Sequence, residues 1–262
     1  MAKYCPLFSG SKGNCTFLGT AQNGILVDVG VSAKRIQEAL AARQIDLRAI
    51  RAIFITHEHT DHIAGLNVLL KRQAIPVYAT RGTMEALLEK GVLPVGTPIE
   101  TIDSAVSVGD LGVTAFKTSH DSAESCGFRV TYPDGRVAVV ATDMGCMTPA
   151  AWQALQGADL VHIESNHDVR MLECGPYPYS LKMRVLGEGG HLSNEACARV
   201  LPTLVQNGTT RFVLSHLSQE NNTPLLAKET SKTVLSSVGA IENEDYLLSV
   251  AAPVGDDPVI VF

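Results

Sequence analysis

This sequence of 262 residues contains no closely spaced pair of cysteines. Its six cysteines are scattered along the chain, and no two of them form a CxxC pair. A disulfide framework or a structural zinc site built from cysteines is therefore not expected, and reduced thiols fit this spacing better.

Long hydrophobic runs and an excess of positive charge are also missing. The longest apolar stretches, such as Leu247 to Val254, are far shorter than the roughly 20 residues that span a bilayer, and no signal-peptide core follows the amino terminus. We therefore expect a soluble, cytoplasmic protein without a membrane partner. The net charge of −6 excludes a generally basic nucleic-acid binder, so a polyanion would have to meet a local patch or a metal.

Hydrophobic residues make up 45% of the chain, which is enough for a substantial core. No repeat, low-complexity tract or long linker divides the sequence, so we expect a single domain covering residues 1–262. Short apolar runs between turn residues predict two blocks of strands, and helical patterns separate these blocks irregularly. One predicted helix is capped by Ser32 and another follows His62. The pattern favours an α/β (α+β) protein with two sheets and helices outside them.

A cluster of candidate metal ligands follows one apolar strand directly. The predicted strand 52–56 leads into the sequence HEHTDH, in which the candidates are His57, His59, Asp61 and His62. A strand-to-helix turn lets these side chains fan out from one short segment, and imidazole with carboxylate suits zinc, manganese or iron. The alternative is a polar turn with exposed histidines, but histidine is scarce and only a metal needs this clustering.

Polar residues also end several other apolar runs. They are Asp28, His120, Asp143 and His216. Each one is a weak signal by itself, because an Asp at a strand end is about as often a turn or helix cap as a ligand. Together with the cluster at 57–62 they complete a set.

The order of these residues along the chain resembles the ligand pattern of the metallo-β-lactamase superfamily, and the HxHxDH motif in this context is highly specific. Four further segments resemble its YycJ/WalJ-type branch: SGSKGN at 9–14, ESNHD at 164–168, GHLSN at 190–194 and HLSQENN at 216–222. The resemblance extends from the first strands to the last helix. It implies an αββα sandwich, with two mixed sheets flanked by helices and the site along one edge of the sheets.

The resemblance also implies a role for each ligand. One divalent ion is held by His57, His59 and His120, the second is held by Asp61, His62 and His216, and Asp143 bridges them. Two such ions share a hydroxide that attacks phosphorus, so Asp61 and Asp143 also count as catalytic residues. Asp28 and Glu164 are expected to orient liganding histidines through hydrogen bonds, although a turn cap is the alternative for Asp28.

His191 lies outside the ligand set, after the glycine-rich segment 187–190 and before a predicted helix capped by Ser193 or Asn194. The glycines predict a flexible run that brings this imidazole to a bound substrate, where it can protonate the departing alkoxide. The alternative is a residue that only helps to cap the helix.

Aromatic and cationic residues precede His191 and are candidates for substrate binding. They are Tyr177, Tyr179, Arg170, Lys182 and Arg184. Cations beside aromatic rings bind single strands in many proteins, but a solvated loop is an equal alternative. Ser193 and Asn194 are further expected substrate contacts, and His167 is expected to contact either the substrate or a metal ion.

The resemblance implies a phosphodiesterase with two divalent metal ions that acts on nucleic acid, and more narrowly a 5′-to-3′ DNA exonuclease. One alternative is a small-molecule esterase, thioesterase or lactamase, because the same centre can polarise a carbonyl group. Another is a noncatalytic regulatory module that binds metal. The cationic and aromatic residues disfavour the first alternative, and the complete ligand set disfavours the second.

Overall fold

Strands and helices follow one another in irregular blocks. The computed structural model describes residues 1–103, 105–255 and 257–262. The strands are β1 (Lys3–Phe8), β2 (Cys15–Gly19), β3 (Gly24–Val27), β4 (Ile50–Phe54), β5 (Val77–Ala79), β6 (Ile99–Thr101), β7 (Val106–Val108), β8 (Leu111–Lys117), β9 (Cys126–Thr131), β10 (Val137–Ala141), β11 (Leu160–Glu164), β12 (Arg211–Ser215), β13 (Leu247–Val250) and β14 (Ile260–Val261). The helices are α1 (Ala33–Ala42), α2 (Thr60–Ile63), α3 (Leu66–Arg72), α4 (Arg81–Glu89), α5 (Pro149–Leu155), α6 (Val169–Cys174), α7 (Tyr179–Leu186), α8 (Asn194–Gln206) and α9 (Pro224–Ser237).

Backbone contacts divide the described residues into two compact units. The first comprises Met1–Ala115, Ser122–Arg136 and Ala252–Phe262, and the second comprises Phe116–Asp121 and Val137–Ala251. Each unit has its own cluster of buried apolar side chains. The single domain expected from the sequence stays a prediction.

The first unit is built on a mixed sheet with the strand order β14-β1-β2-β3-β4-β5-β6. Neighbouring strands are antiparallel from β14 to β3 and parallel from β3 to β6. Helix α1 adds Ile36 and Leu40 to the apolar cluster of this unit. Ser32 caps this helix by accepting a hydrogen bond from the backbone N–H of Arg35, so the predicted cap is confirmed.

The second unit contains four parallel strands in the order β13-β12-β11-β10. Strands β10 and β11 are buried along their whole length, and three helices add Leu155, Leu201 and Leu235 to the same core. Because parallel strands end at a common edge, this arrangement gathers the residues that follow β10, β11 and β12.

The strands form two mixed sheets flanked by helices, and the expected fold class is confirmed. Asp134 and Gly135 form a turn, with Gly135 N donating to the carbonyl of Tyr132 at 3.0 Å. Across the described parts of the chain, no helix combines the length and the apolar composition that crossing a membrane requires.

The region before His191 differs from the expectation, because it contains two helices that the sequence did not predict. Helix α6 buries only Leu172 and helix α7 buries only Val185. A single buried residue leaves no apolar stripe at helical spacing, so the periodicity that reveals longer helices is missing here.

Gly30 allows a close backbone contact inside the first unit. Its N–H donates to the carbonyl of Asn14 at 2.7 Å, and Asn14 N in turn donates to the carbonyl of Asp61 at 2.8 Å. A Cβ atom at Gly30 would lie 1.6 Å from the Asp61 carbonyl oxygen. No side-chain rearrangement relieves such a clash, because both partners are backbone.

We expect Gly30→Ala to lower the free energy of unfolding by more than about 2 kcal/mol, since the backbone at Asp61 must move. Gly112→Ala in β8 is the matched control, because the nearest atom to a Cβ there is at 3.8 Å. The control should stay within about 0.5 kcal/mol of the wild type. Urea denaturation measures both variants, and equal effects would contradict the role given to Gly30.

Candidate metal centre

The histidines of segment 57–62 gather at the end of β4 in the first unit. The ring centroids of His57 and His62 are 4.1 Å apart, and those of His57 and His59 are 4.5 Å apart. Helix α2 begins directly after His59, and Asp61 in its first turn brings a carboxylate oxygen to 3.4 Å from His62 Nε2. One short segment therefore presents three imidazoles and a carboxylate close together.

Asp28 fastens this segment from the end of β3. Its carboxylate accepts hydrogen bonds from Thr56 N at 2.9 Å and from His62 Nδ1 at 2.7 Å. Because Nδ1 of His62 donates, the lone pair of this ring is on Nε2. Burial raises the pKa of Asp28, although the charge and hydrogen bond of His62 act in the opposite direction.

Asn14 contacts the same segment and was not singled out from the sequence. Its Nδ2 atom lies 3.1 Å from His62 Nε2 and 3.4 Å from Asp61 Oδ2. The amide is held in place by hydrogen bonds to the backbone N–H and carbonyl of Gly10. In the sequence, Asn14 is marked only by its place in segment 9–14, in which Lys12 is the only charged residue.

The strand ends of the second unit carry Asp143 after β10, Glu164 at the end of β11 and His216 after β12. Asp143 and His216 have positive φ angles of 56° and 54°, and Asp28 in the first unit has one of 61°. Few side chains adopt this left-handed conformation, although Asp and His do so more often than most. Residues held in such conformations cluster at functional sites, so the backbone itself marks these positions.

Glu164 is a buried carboxylate that joins two histidines. Its Oε1 atom accepts hydrogen bonds from His191 Nδ1 at 2.8 Å and from His216 Nδ1 at 2.9 Å. Its Oε2 atom accepts from the backbone N–H groups of Met144 and Leu192. Burial acts to raise the pKa of Glu164, but the two histidines hold it well below its usual range. The carboxylate therefore remains ionised in the interior.

The two histidines on Glu164 differ in their access to solvent. The side chain of His216 is 2% exposed, whereas that of His191 is 19% exposed. Burial lowers the pKa of His191, but the attraction of Glu164 and Asp143 outweighs this effect and leaves the pKa above its ordinary value. His191 can therefore hold a proton and still reach a molecule outside the protein.

His120 lies in the loop that follows β8. Its Nδ1 atom donates to the carbonyl of Gly190 at 3.0 Å, which leaves the lone pair on Nε2. Nε2 lies 3.7 Å from a carboxylate oxygen of Asp143. His120 and Asp143 both belong to the second unit, and neither is part of segment 57–62.

The glycine-rich segment 187–190 is held in place, in contrast to the flexible run expected from its composition. Ser119 Oγ donates to the carbonyl of Glu188, and Asp121 N donates to the carbonyl of Gly189 at 3.0 Å. Together with the bond from His120 to Gly190, these contacts engage three consecutive carbonyl groups. The glycines serve close packing here, since a Cβ at Gly190 would lie 2.2 Å from the carbonyl oxygen of Val185.

The donor groups fit divalent metal ions. In the second unit, one donor atom each from Asp143, Glu164, His191 and His216 lie within 4.8 Å of one another. His62, His120 and His216 each have Nδ1 bonded to a carboxylate or a carbonyl, so the lone pair of each ring is on Nε2, the atom that can bind a cation. Liganding histidines are usually fixed in this way, and imidazole with carboxylate is a donor set for zinc, manganese or iron.

The residues expected to contact substrate around β11 and α8 are largely buried. His167 is 1% exposed, burial lowers its pKa, and neither ring nitrogen has a hydrogen-bond partner among the described residues. Ser193 caps α8 by accepting a hydrogen bond from Ala196 N. Asn194 is fully buried, where its amide pairs with that of Asn222. Their contact with a substrate stays a prediction.

Lys182 and Arg184 lie on α7, and both have partners within the protein. Lys182 Nζ donates to the carbonyl of Glu173 at 2.6 Å. Arg184 donates twice to the carboxylate of Asp121, from Nε to Oδ2 at 2.5 Å and from Nη2 to Oδ1 at 3.1 Å. The binding of substrate by these two cations also stays a prediction.

Comparison with known proteins identifies the family. A family model described as "Beta-lactamase superfamily domain" matches residues 23–217. The chain is 35% identical to Exodeoxyribonuclease YycJ of Bacillus anthracis over 235 residues, which cover 89% of each chain. It is 34% identical to Exodeoxyribonuclease WalJ of Streptococcus pneumoniae over 255 residues, which cover 96% of this chain and 94% of the relative.

A solved structure with the same fold is the metallo-beta-lactamase fold protein YhfI from Bacillus subtilis. Its TM-score is 0.71 with 18% sequence identity, and the match covers 96% of each chain. The expected fold and the interpretation of the chain as an enzyme are thereby confirmed. The resemblance found in the sequence is confirmed as well: this chain belongs to the beta-lactamase superfamily and is related within it to the YycJ/WalJ exodeoxyribonucleases.

Proposed function

We propose that this enzyme hydrolyses phosphodiester bonds in DNA and removes nucleotides from the 5′ end with the help of two divalent metal ions. The observation that carries the proposal is the identity of 34–35% to two exodeoxyribonucleases over 89% and 96% of this chain. Similarity of this extent includes the segments around every proposed ligand.

The proposed ligands divide into two sets with one shared residue. In this proposal His57, His59 and His120 would hold one ion, Asp61, His62 and His216 would hold the other, and Asp143 would serve as a ligand of both. Support comes from the fixed Nδ1 atoms, which orient Nε2 of three of these histidines toward a cation. When bound, two such ions polarise the phosphoryl group and lower the pKa of water.

His191 is proposed to donate a proton to the leaving oxygen. Glu164 binds its Nδ1 atom, so Nε2 is the atom that can deliver a proton to substrate. The raised pKa of His191 keeps this ring protonated at neutral pH to a greater extent than a free histidine. Glu164 would act only through the ring that it holds.

A polyanionic substrate fits the charges of the proposed site in spite of the net charge of −6. Divalent ions bound by histidines and few carboxylates leave a local positive centre. Tyr179 is 77% exposed on α7, the helix that also carries Lys182, so an aromatic ring and a cation are available to a nucleic acid. These features favour a nucleic acid over a small acyl substrate.

The metal-reconstituted protein should release the 5′-terminal label of end-labelled DNA first, as mononucleotides. Gel separation of products from duplex DNA, single-stranded DNA and RNA measures this directly, with Asp143→Ala prepared in parallel as the inactive control. Short internal fragments would instead indicate an endonuclease. Efficient hydrolysis of a thioester or lactam without any cleavage of nucleic acid would favour the small-molecule alternative.

The purified protein should bind about two divalent ions per chain, and Asp143→Ala should reduce this number to about one or fewer, because one carboxylate contacts both ions. Elemental analysis after dialysis against excess zinc and excess manganese measures the stoichiometry. Asp110→Ala is a control, since the carboxylate of Asp110 accepts hydrogen bonds from Thr20 Oγ1 and Asn23 Nδ2 at the protein surface. A wild-type protein that binds only one ion per chain, both in excess zinc and in excess manganese, would contradict the proposal of two ions.

His191→Ala should retain both metal ions and slow turnover by roughly a hundredfold, which is the usual effect of removing a general acid. A phosphodiester with a better leaving group, such as bis(p-nitrophenyl) phosphate, needs less protonation and should recover part of the rate. Steady-state kinetics and metal analysis of the same preparations test both points. Loss of metal would show that His191 is a ligand, as its place beside Asp143 and His216 also permits.

A further inference from the structure

The ion pair between Arg184 and Asp121 joins helix α7 to the loop that carries His120. The guanidinium of Arg184 donates two hydrogen bonds to the carboxylate of Asp121. Among the cationic residues, only Arg can form this bidentate geometry. The residues are 63 positions apart in the sequence. The contact therefore ties two segments that no local structure would hold together.

Asp121 is placed so that its carboxylate matters to the adjacent histidine. Its Oδ1 atom lies 3.5 Å from His120 Nε2, the nitrogen proposed to bind metal. Arg184 donates to this same oxygen at 3.1 Å. Without the guanidinium, this carboxylate oxygen would favour the tautomer of His120 that carries its proton on Nε2, and that proton would block the proposed ligand atom.

The backbone of Arg184 supports the other side of the same loop. Its carbonyl accepts a hydrogen bond from Gly187 N at 3.3 Å, and a Cβ at Gly190 would lie 2.3 Å from its oxygen. Gly190 in turn provides the carbonyl that binds His120 Nδ1. Arg184 thus contacts two neighbours of His120, Asp121 through its side chain and Gly190 through its backbone.

We propose that Arg184 is a positioning residue, whose bidentate pair with Asp121 holds the loop 119–121 so that His120 presents Nε2 to a metal ion. The inference rests on the proposed function in one respect, namely that His120 is a ligand. It gives Arg184 a task other than the substrate contact expected from the sequence, and leaves Lys182 as the cation of α7 that contacts phosphate.

The pair of Arg184 and Asp121 orients His120 and contributes little to the stability of the fold. The side chains of Arg184 and Asp121 are 54% and 39% exposed, and exposed ion pairs contribute little to the free energy of folding. Changes at either residue should therefore leave the melting temperature nearly unchanged. A merely structural role would not produce the changes in metal affinity and turnover described next.

Arg184→Ala should weaken zinc binding by about tenfold, at the lower end of what losing the support of a ligand costs. Competition with a chromophoric chelator measures this affinity without any substrate. Turnover of bis(p-nitrophenyl) phosphate should fall with KM unchanged, while the affinity for phosphorothioate DNA and its salt dependence should stay as in the wild type. The zinc affinity and turnover of Arg184→Lys should lie between those of the wild type and those of Arg184→Ala, because an ammonium group forms only one of the two hydrogen bonds.

Lys182→Ala is the comparison for a phosphate contact on the same helix: it should leave zinc affinity unchanged but weaken DNA binding, and the slope of log affinity against log salt should decrease by almost one. Ser180→Ala is the matched control, because Ser180 is exposed on α7 and has no role in the proposed site, so zinc affinity and turnover of the small substrate should stay as in the wild type. Asp121→Asn, which keeps the shape of the side chain, should reproduce the effect of Arg184→Ala. The double variant should be no worse than either single variant, because both changes remove one contact.

Two results would overturn the proposal. In the first, Arg184→Ala behaves like Lys182→Ala, with a reduced salt slope and normal zinc affinity, which makes Arg184 a phosphate contact. In the second, Arg184→Ala and Asp121→Asn leave zinc affinity and turnover unchanged, which makes the pair idle. Failure of the wild type to cleave DNA would refute the proposed function alone, since zinc affinity is measured without DNA.

Discussion

Buried carboxylates that accept hydrogen bonds from histidines are the constraint on which the candidate site depends. An ionised group in the interior is costly unless its oxygens are paired, so each of its partners must stay in place. Glu164 satisfies this condition with His191, His216 and two backbone N–H groups. Asp28 does so in the first unit with His62 and Thr56. The orientation of each ring is therefore set by a neighbour that is proposed to bind no metal.

The backbone brings these groups to their positions. Parallel strands β10, β11 and β12 end at one edge, where Asp143, Glu164 and His216 follow one another across the second unit. The left-handed conformations of Asp143 and His216 each cost on the order of 1–3 kcal/mol, which the surrounding hydrogen bonds and packing must offset. Asp28 has the same conformation at the end of a strand in the first unit. Strain of one kind thus recurs at separate positions that the sequence had singled out for their chemistry.

The region before His191 shows where reasoning from the sequence was weakest. Its glycines indicated freedom of movement, yet the structure uses them for close packing against α7 and for hydrogen bonds to loop 119–121. Its cations indicated a binding surface, yet Arg184 is engaged by Asp121. A glycine is compatible with both flexibility and tight contact, and an arginine with both a substrate and a carboxylate. Residue type alone does not distinguish these uses.

The sequence by itself determined the class of the fold, the order of the candidate ligands along the chain and the superfamily, because strand periodicity and the HxHxDH spacing are local properties. Only the tertiary structure decided the neighbours of each group. The sharing of Glu164 by two histidines, the approach of Asn14 to His62 and the pairing of Arg184 with Asp121 all join residues distant in the chain. Such contacts depend on how strands and helices pack, and the packing of a core is a collective property that no short segment contains.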